Sequence, residues 1–472
     1  MAGIYKAYDI RGIYSSEDQP GQLSPATAYR IGMALGAPGI WPAGDVLVSH
    51  DMRPSSPVIV AALTAGLQAS GRQVRQGGMM TTPMHYWYNR RWQVAGSVQV
   101  TASHNPAAYN GLKVSGAEAA PMGYDNALRE IERRVAASAT PIPACPAPEG
   151  VDSARLLADY AEFLSEIDVR QSWRLCIDAG SGMAGYDLPA ILSEFPRIQW
   201  QGLCMEPDGN FPYHEANPLD YETLHMLQAE LRHGRYDLGV AFDGDADRAM
   251  FLTGRGTIIK PDALTAFLAE SFLLRAQQRG EDMTRQAVVY DVRMSDSVAR
   301  CIEATGARAI RGKVGHAFMK QLLKDHGAVF GGEVSCHFYF GDLGNTDSAI
   351  YAMLMGLHFF EQRSVRPEEL NDLYAPYPKS EEINFKVADA QAAMQAVAQH
   401  YLRSVPGARM DELDGVTVWL TDRWFNLRAS NTEPLLRLNA EITDRNATQR
   451  DLDAFVAEIS DQIISGYRTG HG

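Results

Sequence analysis

Short runs of apolar and β-branched residues alternate along the chain with longer segments whose apolar residues recur at helical spacing. One helical face runs from Leu156 to Ile167 behind the candidate N-caps Asp152 and Ser153, and a second runs from Leu452 to Ile463. This alternation predicts α/β layers with parallel or mixed sheets. Five runs predict strands: Val46–Val48, Ser97–Val100, Leu175–Ile177, Leu238–Phe242 and Ala287–Tyr290.

Two proline-rich stretches, residues 140–151 and 366–380, interrupt this alternation and are predicted to be joints between domains. The apolar run from Ala349 to Phe360 is too short to span a bilayer and contains Gly356 and His358. It therefore predicts a buried helix.

The composition is that of a globular protein with several cores. The chain has 472 residues, of which 46% are hydrophobic and 21% charged, which excludes a disordered or fibrous chain and suggests about three domains. Lys plus Arg number 43 against 57 Asp plus Glu, so the formal net charge is −14. Such a chain is repelled on average by nucleic acid and anionic membranes, and neither is expected as a partner. Any anionic ligand needs a local basic pocket.

The five cysteines form no CxxC pair and are odd in number. This pattern favours reduced thiols over a disulfide framework or a structural zinc site, and it indicates a cytoplasmic setting. The first twelve residues contain Lys6, Asp9 and Arg11 and show no apolar core of a secretory signal.

Two polar loops follow predicted strands, where the ligand sites of α/β domains collect. The serine loop is Thr101–Pro106, and its hydroxyl at Ser103 is a candidate nucleophile, although on local grounds a plain turn also explains it. The acidic loop is Asp243–Arg248, which places three carboxylates at alternate positions. A hard divalent cation relieves their mutual repulsion, so we expect a metal there.

Two further loops have the composition of a sugar or phosphate site. Glu333, Ser335 and His337 alternate, so an extended segment would present them on one side to sugar hydroxyls; a turn with one satisfied histidine explains them equally well. The loop from Arg428 to Pro434 combines a cation, hydroxyls and an amide that suit a phosphate, although an N-capping turn is the commoner explanation.

Together, these loops make the chain resemble the α-D-phosphohexomutase superfamily, and within it bacterial phosphomannomutase/phosphoglucomutase. The resemblance covers essentially the whole chain, and its most specific parts are the serine and acidic loops. Its further motifs are Tyr5–Gly12 (YKAYDIRG), Asp51–Ser56 (DMRPSS) and Pro207–Pro212 (PDGNFP).

The resemblance implies a four-domain, heart-shaped α/β architecture, with three α/β mixed-sheet domains and a smaller α+β C-terminal domain. We expect domain 1 with the phosphoserine loop at 1–150 and domain 2 with the metal loop at 151–256. Domain 3 with the sugar-binding loop is expected at 257–372, and domain 4 with the phosphate-binding loop at 373–472.

The resemblance also implies roles for individual residues. Ser103 would carry a phosphoryl group, and Mg²⁺ would bind Asp243, Asp245, Asp247 and a phosphoserine oxygen. Lys113 matches the family lysine proposed for proton transfer, and a pKa lowered by the metal and neighbouring cations would help it. The remaining expected catalytic groups are Arg11, His104 and His316, with Arg248 beside them; the expected substrate contacts are Tyr8, Arg293, Glu333, Ser335, His337, Arg428, Ser430, Asn431 and Thr432.

The implied reaction is reversible conversion between a hexose 1-phosphate and a hexose 6-phosphate of mannose or glucose. It would run through phosphoserine and a hexose 1,6-bisphosphate, with a small phosphosugar as partner and the oligomeric state left open. Arg11, Arg53, Lys113, Arg248, Arg293 and Arg428 would supply the basic pocket that the acidic chain needs.

Two residues depart from the family pattern. Cys336 stands where the family usually has glycine, which restricts the backbone φ angle, and Arg293 stands where many relatives have lysine.

Three alternative functions remain. A phosphoglucosamine mutase usually has glutamine where this chain has Val334. A metal-dependent glycosyltransferase would explain Asp243 and Asp245 but would leave the serine and Arg428 loops without a purpose. A non-catalytic sugar-phosphate sensor would have no use for Ser103 and Lys113.

Overall fold

The computed structural model describes residues 3–16, 21–138, 140–146, 150–429 and 435–467. The chain divides into two units. The first comprises Met1–Ile259 and Ser335–Glu368, and the second comprises Lys260–Val334 and Glu369–Gly472. The described residues form the mixed α/β sheets and the small C-terminal α+β layer that the sequence predicts.

The first sheet has the strand order β1-β5-β4-β2-β3. Strand β2 pairs in parallel with β3 and β4, whereas β5 runs antiparallel to both β4 and β1. The mixed pairing brings the loop after β4 to the same sheet edge as the start of β5. The elements are β1 (Ile10–Ile13), α1 (Pro25–Gly36), β2 (Val46–His50), α2 (Ser56–Ala69), β3 (Val74–Met79), α3 (Thr82–Arg91), β4 (Gly96–Val100), β5 (Tyr109–Gly116) and α4 (Arg129–Ala137).

The second sheet has the order β7-β6-β8-β9, with β6 parallel to β7 and β8 and with β9 antiparallel to β8. Helix α5 begins where the sequence predicts, because the Asp152 side chain accepts a hydrogen bond from the Arg155 N–H. The elements are α5 (Ser153–Ser165), β6 (Trp173–Asp178), α6 (Ala184–Ser193), β7 (Ile198–Leu203), α7 (His225–His233), β8 (Leu238–Phe242) and β9 (Ala249–Thr253).

Residues 260–374 contribute to both units. In the second unit, β10 pairs in parallel with β11 and β12; in the first unit, β13 and β14 form an antiparallel pair and α11 is almost wholly buried, as its apolar run predicts. The elements are α8 (Pro261–Gln278), β10 (Ala287–Asp291), α9 (Asp296–Ala304), β11 (Arg308–Gly312), α10 (His316–His326), β12 (Phe330–Gly332), β13 (Phe338–Phe340), β14 (Thr346–Asp347), α11 (Ala349–Arg363) and α12 (Leu370–Tyr374).

The C-terminal layer is an antiparallel sheet of order β15-β19-β18-β17-β16 with two helices packed on it through an apolar core. Its elements are β15 (Ile383–Lys386), α13 (Ala390–Ser404), β16 (Arg409–Asp411), β17 (Val416–Trp419), β18 (Arg423–Ala429), β19 (Leu435–Ile442) and α14 (Gln449–Tyr467).

All five strands predicted from the sequence are present, as β2, β4, β6, β8 and β10. The stretch 366–380, which is predicted to be a joint, contains the short helix α12 directly after a turn that begins at Pro367. In the described part of the chain, no helix combines the length and the apolar character that a bilayer span requires.

Candidate active site

The serine loop leaves the end of β4 in a strained turn. The Thr101 hydroxyl accepts a hydrogen bond from the Ser103 N–H at 3.0 Å, and Ser103 itself adopts a left-handed backbone with φ of 51°. Such a conformation costs a non-glycine residue about 1 kcal/mol or more, so it persists only where the surroundings enforce it. The turn buries Ser103 but directs its hydroxyl toward the acidic loop.

Arg53 enforces this turn from beneath. Its guanidinium is fully buried and donates to the carbonyls of Ser103 and Tyr109 at 2.9 Å, and also to those of Asn105 and Pro106. The expectation that Arg53 belongs to a basic substrate pocket is therefore wrong. Since its donors are spent on backbone carbonyls, Arg53 supports the loop rather than binding an anion.

The acidic loop follows β8 and lies directly against the serine loop. Gly244 makes this approach feasible, because a Cβ atom there would lie only 2.4 Å from the Ser103 carbonyl oxygen. Ala246 takes a left-handed φ of 62°, and the loop gathers carboxylate oxygens of Asp243, Asp245 and Asp247 within 4.8 Å of one another. The structure thus brings the predicted nucleophile and the predicted metal ligands together.

The Ser103 hydroxyl lies between a carboxylate and a guanidinium. It donates to Asp243 Oδ2 at 2.7 Å and accepts from Arg248 Nη2 at 3.1 Å. Arg248 also donates to Asp243 Oδ2, through Nε at 3.0 Å and Nη2 at 2.8 Å. A single buried guanidinium therefore positions both the serine and the first aspartate.

Lys113 projects from β5 into the same cluster. Its Nζ donates to Asp245 Oδ2 at 2.7 Å and also contacts Asp247. Burial alone would lower the pKa of Lys113, but the two carboxylates outweigh it and hold the pKa well above its ordinary value. Within this set of residues Lys113 is therefore a charged donor; the lowering expected from a bound metal stays a prediction.

The aspartates differ in protonation tendency. Burial raises the pKa of Asp243 despite the nearby Arg248. Burial acts in the same direction on Asp245, but Lys113 and the Thr82 hydroxyl, which donates at 2.6 Å, outweigh it and lower the pKa of Asp245. Asp245 is therefore the more firmly ionised of the two.

The acidic cluster contains a buried carboxylate oxygen that a bound cation would satisfy. Asp245 Oδ1 is buried and has no hydrogen-bond partner, although its carboxylate carries a charge. An ionised oxygen without a partner is costly in the protein interior, and a divalent cation shared with Asp243 and Asp247 would satisfy it. The residues present thus fit the expected metal.

His104 and Arg11 border the serine. Burial, together with the charge of Arg248, lowers the pKa of His104 well below its ordinary value. Arg248 donates to His104 Nδ1, so the neutral ring keeps its proton on Nε2. Arg11 donates to the Asn105 side chain at 2.6 Å and pairs with Asp9 at 2.7 Å, and Tyr8 lies half-buried in the turn just before β1.

The segment after Glu333 is a turn and not the extended segment that the alternation predicts, although the Ser335 and His337 side chains still meet. Cys336 has a left-handed φ of 64°, which is incompatible with an extended strand. Ser335 Oγ and His337 Nδ1 lie 3.0 Å apart, and His337 Nε2 lies 3.6 Å from Asp247 Oδ1. His337 therefore belongs to the acidic cluster of the first unit.

In the second unit, Asp291 organises the residues around β10. It accepts from Arg293 Nη2 at 2.8 Å and from the Val334 N–H at 2.9 Å. Glu333 is buried and its Oε1 accepts from the Gly315 N–H at 2.8 Å, immediately before His316 begins α10. Part of the hydrogen-bonding capacity expected for a sugar thus serves the loop itself.

A carboxylate lies among arginines at the end of the C-terminal sheet. Glu382 accepts from Arg428 Nη2 at 3.2 Å, its other oxygen lies 3.2 Å from Arg437 Nη1, and Arg293 Nη1 lies 3.9 Å away. The expected phosphate contacts Ser430, Asn431 and Thr432 lie outside the described residues.

Sequence reasoning missed Glu382, Arg437 and the supporting role of Arg53. Each of these residues acts through partners that are distant in sequence, so no local spacing of residue types predicts its role. For Arg53 a usable signal was its place in the DMRPSS motif beside Ser55 and Ser56.

Four domain models of one protein family match most of the chain. The descriptions "Phosphoglucomutase/phosphomannomutase, alpha/beta/alpha domain" I, II and III match residues 3–141, 158–256 and 260–377, and the C-terminal domain of the same family matches residues 382–459.

Individual relatives agree with this assignment. A protein named "Phosphohexose mutases" from Xanthomonas campestris pv. campestris (strain B100) is 36% identical over 99% of both chains. A phosphomannomutase of Escherichia coli (strain K12) is 34% identical over 93% of this chain and 94% of its own. The crystal structure of a phosphoglucomutase/phosphomannomutase family protein from Burkholderia thailandensis has a TM-score of 0.83 at 29% identity and covers 98% of each chain. With a serine, an arginine and three carboxylates converging in one buried cluster, and with kinship along its whole length, the chain belongs to the phosphoglucomutase/phosphomannomutase family and is a hexose-phosphate mutase.

Proposed function

We propose that the enzyme interconverts the 1-phosphate and the 6-phosphate of mannose and glucose, with Ser103 as the phosphoryl carrier and Mg²⁺ on the acidic loop. The observation that carries this proposal is the Ser103 hydroxyl, which lies 2.7 Å from Asp243 and 3.1 Å from Arg248 in the buried cluster. A transferring phosphoryl group needs positioning and charge neutralisation, and this cluster offers both.

In the first half of the reaction, the phosphoryl group leaves Ser103 Oγ and bonds to a free hydroxyl of the sugar. The Ser103–phosphorus bond breaks, the proton of the attacking sugar hydroxyl ends on the released Ser103 Oγ, and a hexose 1,6-bisphosphate forms. In the second half the intermediate returns its other phosphoryl group to Ser103. The serine proton then has an acceptor in place, because Ser103 Oγ already donates to Asp243 Oδ2.

Asp243, Asp245 and Asp247 would hold the metal, together with an oxygen of the phosphorylated serine. When bound, Mg²⁺ supplies electrostatic stabilisation of the charge that develops on the phosphoryl oxygens. Arg248 adds fixed positive charge from the protein itself, since its guanidinium already contacts the serine oxygen.

Lys113 would serve as a proton donor to the leaving oxygen. Asp245 and Asp247 keep it charged, so it can donate first and accept the proton back in the reverse half. Arg11 contacts the serine loop through Asn105, and His104 belongs to that loop. These two residues, with Tyr8 and with His316 at the start of α10, would contact the transferring group or the sugar.

Arg293 and Arg428 would bind the phosphate that does not react, together with Ser430, Asn431 and Thr432. Arginine suits this role because its planar donors match a phosphate, and Arg293 keeps this ability where many relatives have lysine. Glu333 and Ser335 would bind the O3 and O4 hydroxyls, with His337 beside them. Glucose and mannose differ at C2, so a site that grips O3, O4 and the phosphate separates them weakly.

Two measurements test the proposal. Intact mass should rise by one phosphoryl group after incubation with glucose 1,6-bisphosphate, and peptide mapping should place it on Ser103. Unchanged mass, or phosphate on another residue, would contradict the carrier assignment.

The second measurement compares mannose, glucose and glucosamine 1-phosphates, each with a trace of its bisphosphate and Mg²⁺. We expect 6-phosphate from mannose and glucose. Turnover of glucosamine 1-phosphate alone would replace the substrate assignment by that of a phosphoglucosamine mutase.

A further inference from the structure

Three side chains from separate segments of the first unit converge behind the acidic loop. Asp178 ends β6, Cys204 directly follows β7, and His214 lies ten residues further on. Their ligand atoms all lie within 4.8 Å of one another, with His214 Nε2 3.1 Å from Asp178 Oδ2 and 3.9 Å from Cys204 Sγ. A carboxylate, an imidazole and a thiol therefore face one point.

The histidine is oriented as metal-binding histidines are. Its Nδ1 lies 2.9 Å from the backbone carbonyl oxygen of Glu215, which can only accept, so Nδ1 carries a proton. Nε2 is then the atom that faces the carboxylate and the thiol. A backbone carbonyl on the far ring nitrogen is the usual arrangement that aims the other nitrogen at a metal.

The carboxylate and the thiol are also held in place. The Gly180 N–H donates to Asp178 Oδ1 at 2.9 Å, which directs Oδ2 toward the histidine. Cys204 adopts a left-handed backbone φ of 49°. This conformation is costly for a residue other than glycine and persists where the surroundings hold it. Its carbonyl accepts from the Ser181 N–H at 2.8 Å, which fixes the turn.

The electrostatics of the group favour a positive charge between these atoms. The buried Asp178 carboxylate lies 3.1 Å from His214 Nε2 and stabilises positive charge at this point. A cation other than a proton would be stabilised by the same carboxylate, and it would displace the proton from Nε2 as it binds.

The separations fit a small tetrahedral metal ion. With bond lengths of about 2.0–2.3 Å to nitrogen, oxygen and sulfur, the ligand atoms of tetrahedral zinc lie about 3.3–3.6 Å apart. The observed 3.1 and 3.9 Å bracket this range and the third pair lies within 4.8 Å, so the three side chains can occupy three of the four tetrahedral positions. Imidazole and thiolate select zinc-like ions, whereas the all-carboxylate loop selects hard cations such as Mg²⁺.

We infer that Asp178, Cys204 and His214 form a second metal site, specific for zinc-like divalent ions and separate from the Mg²⁺ site of the acidic loop. The absence of CxxC pairs argues against a structural zinc site that is built from several cysteines. A site with a single cysteine needs no such pair. The fold assembles it from two strand ends and a loop.

The site would secure the segment from Cys204 to Ala216 against the active-site loops. The ring of Phe211, in this segment, packs against the Arg53 guanidinium. The distance from Arg53 Cζ to the ring centre is 5.2 Å. A Cβ atom on Gly244 would lie 3.8 Å from the Ala216 Cβ, so the segment borders the acidic loop directly. A metal bound here would stabilise the support of the serine loop without touching the substrate.

Cobalt(II) is the probe that tests this inference, since a thiolate bound to cobalt gives a charge-transfer band in the near ultraviolet. The full-length enzyme is freed of metal with a chelator and titrated with cobalt(II) in a large excess of Mg²⁺, which occupies the acidic loop. We expect the band to saturate at one equivalent of cobalt. Cys204→Ser should abolish it, and Cys204→Ala serves equally if serine disturbs the fold.

Cys301→Ser is the matched control, because Cys301 is also half-buried but lies in the second unit. This variant should keep the full band. Zinc retained after dialysis against Mg²⁺ should likewise fall by about one equivalent in the Cys204 variants alone. A wild-type enzyme without the band, or a band that persists in Cys204→Ser, would overturn the inference whatever the enzyme's substrate proves to be.

Discussion

The two charged clusters of this enzyme are built from similar residues but have opposite balances. Around Ser103, Lys113 and Arg248 face three carboxylates, and all of these side chains are at most 5% exposed. Around Glu382, the arginines 293, 428 and 437 face that carboxylate and Asp291, and the arginines are 11–28% exposed. The first cluster has an excess of negative charge that suits a divalent cation, and the second has an excess of positive charge that suits a phosphate.

Burial makes this difference matter. In the buried cluster each charge is fixed by several partners, so it can stabilise a transition state without first rearranging. In the second cluster Glu382 is 26% exposed, so water competes with its ion pairs and an incoming phosphate can exchange for this carboxylate. We therefore propose that the first cluster serves the chemistry and the second the capture of phosphate.

The largest expected effect comes from Ser103→Ala, which removes the proposed phosphoryl carrier. Turnover should fall by about 10³-fold or more, because no other hydroxyl is positioned between Asp243 and Arg248 in the described residues. Steady-state kinetics with saturating bisphosphate measure this loss. Thermal unfolding should stay close to that of the wild type, and unchanged activity would refute the assignment.

The next largest effect is expected from the same substitution, arginine to lysine, at a buried and at a partly exposed position. Arg53→Lys should lower the free energy of unfolding by about 2 kcal/mol, since lysine cannot serve the four carbonyls that Arg53 binds. Arg437→Lys, at a half-exposed position, should change it by less than about 0.5 kcal/mol. Urea unfolding compares them, and equal effects would remove the distinction between support and capture.

The metal preference of the buried cluster is tested by Asp245→Asn. Removing this charge should raise the Mg²⁺ concentration for half-maximal activity by about tenfold or more, equivalent to about 1.4 kcal/mol. Asp282→Asn is the matched control, since Asp282 is exposed and caps a turn with Thr284. A variant with the wild-type metal response would exclude the acidic loop as the ligand set.

The smallest effect is expected from Glu382→Gln. If Glu382 occupies the arginines until a phosphate replaces it, neutralising it should tighten the binding of inorganic phosphate about three- to tenfold. Calorimetry measures this change, and Glu381→Gln, at the exposed neighbouring position, should leave it unaltered. Weaker binding would show instead that Glu382 positions the arginines for the phosphate.

Local patterns predicted the strands and helices correctly where the apolar residues follow a single repeat. The β-branched runs became β2, β4, β6, β8 and β10, and Asp152 caps α5 as expected. The acidic loop could be interpreted as a metal site because its three carboxylates are adjacent in sequence. By contrast, the extended reading of Glu333–His337 failed at Cys336, whose backbone conformation is set by its buried surroundings.

What the sequence determined by itself is the set of strands and helices and the chemistry of each loop, because periodicity and turn composition act over a few residues. Tertiary structure decided which loops meet: Ser103 follows a strand of one sheet and Asp243 a strand of another, and Gly244 allows their contact. It also decided the direction of pKa shifts, since two carboxylates that are distant in sequence raise the pKa of Lys113 against the effect of burial. Burial and long-range pairing are properties of the folded chain, and no local stretch of sequence contains them.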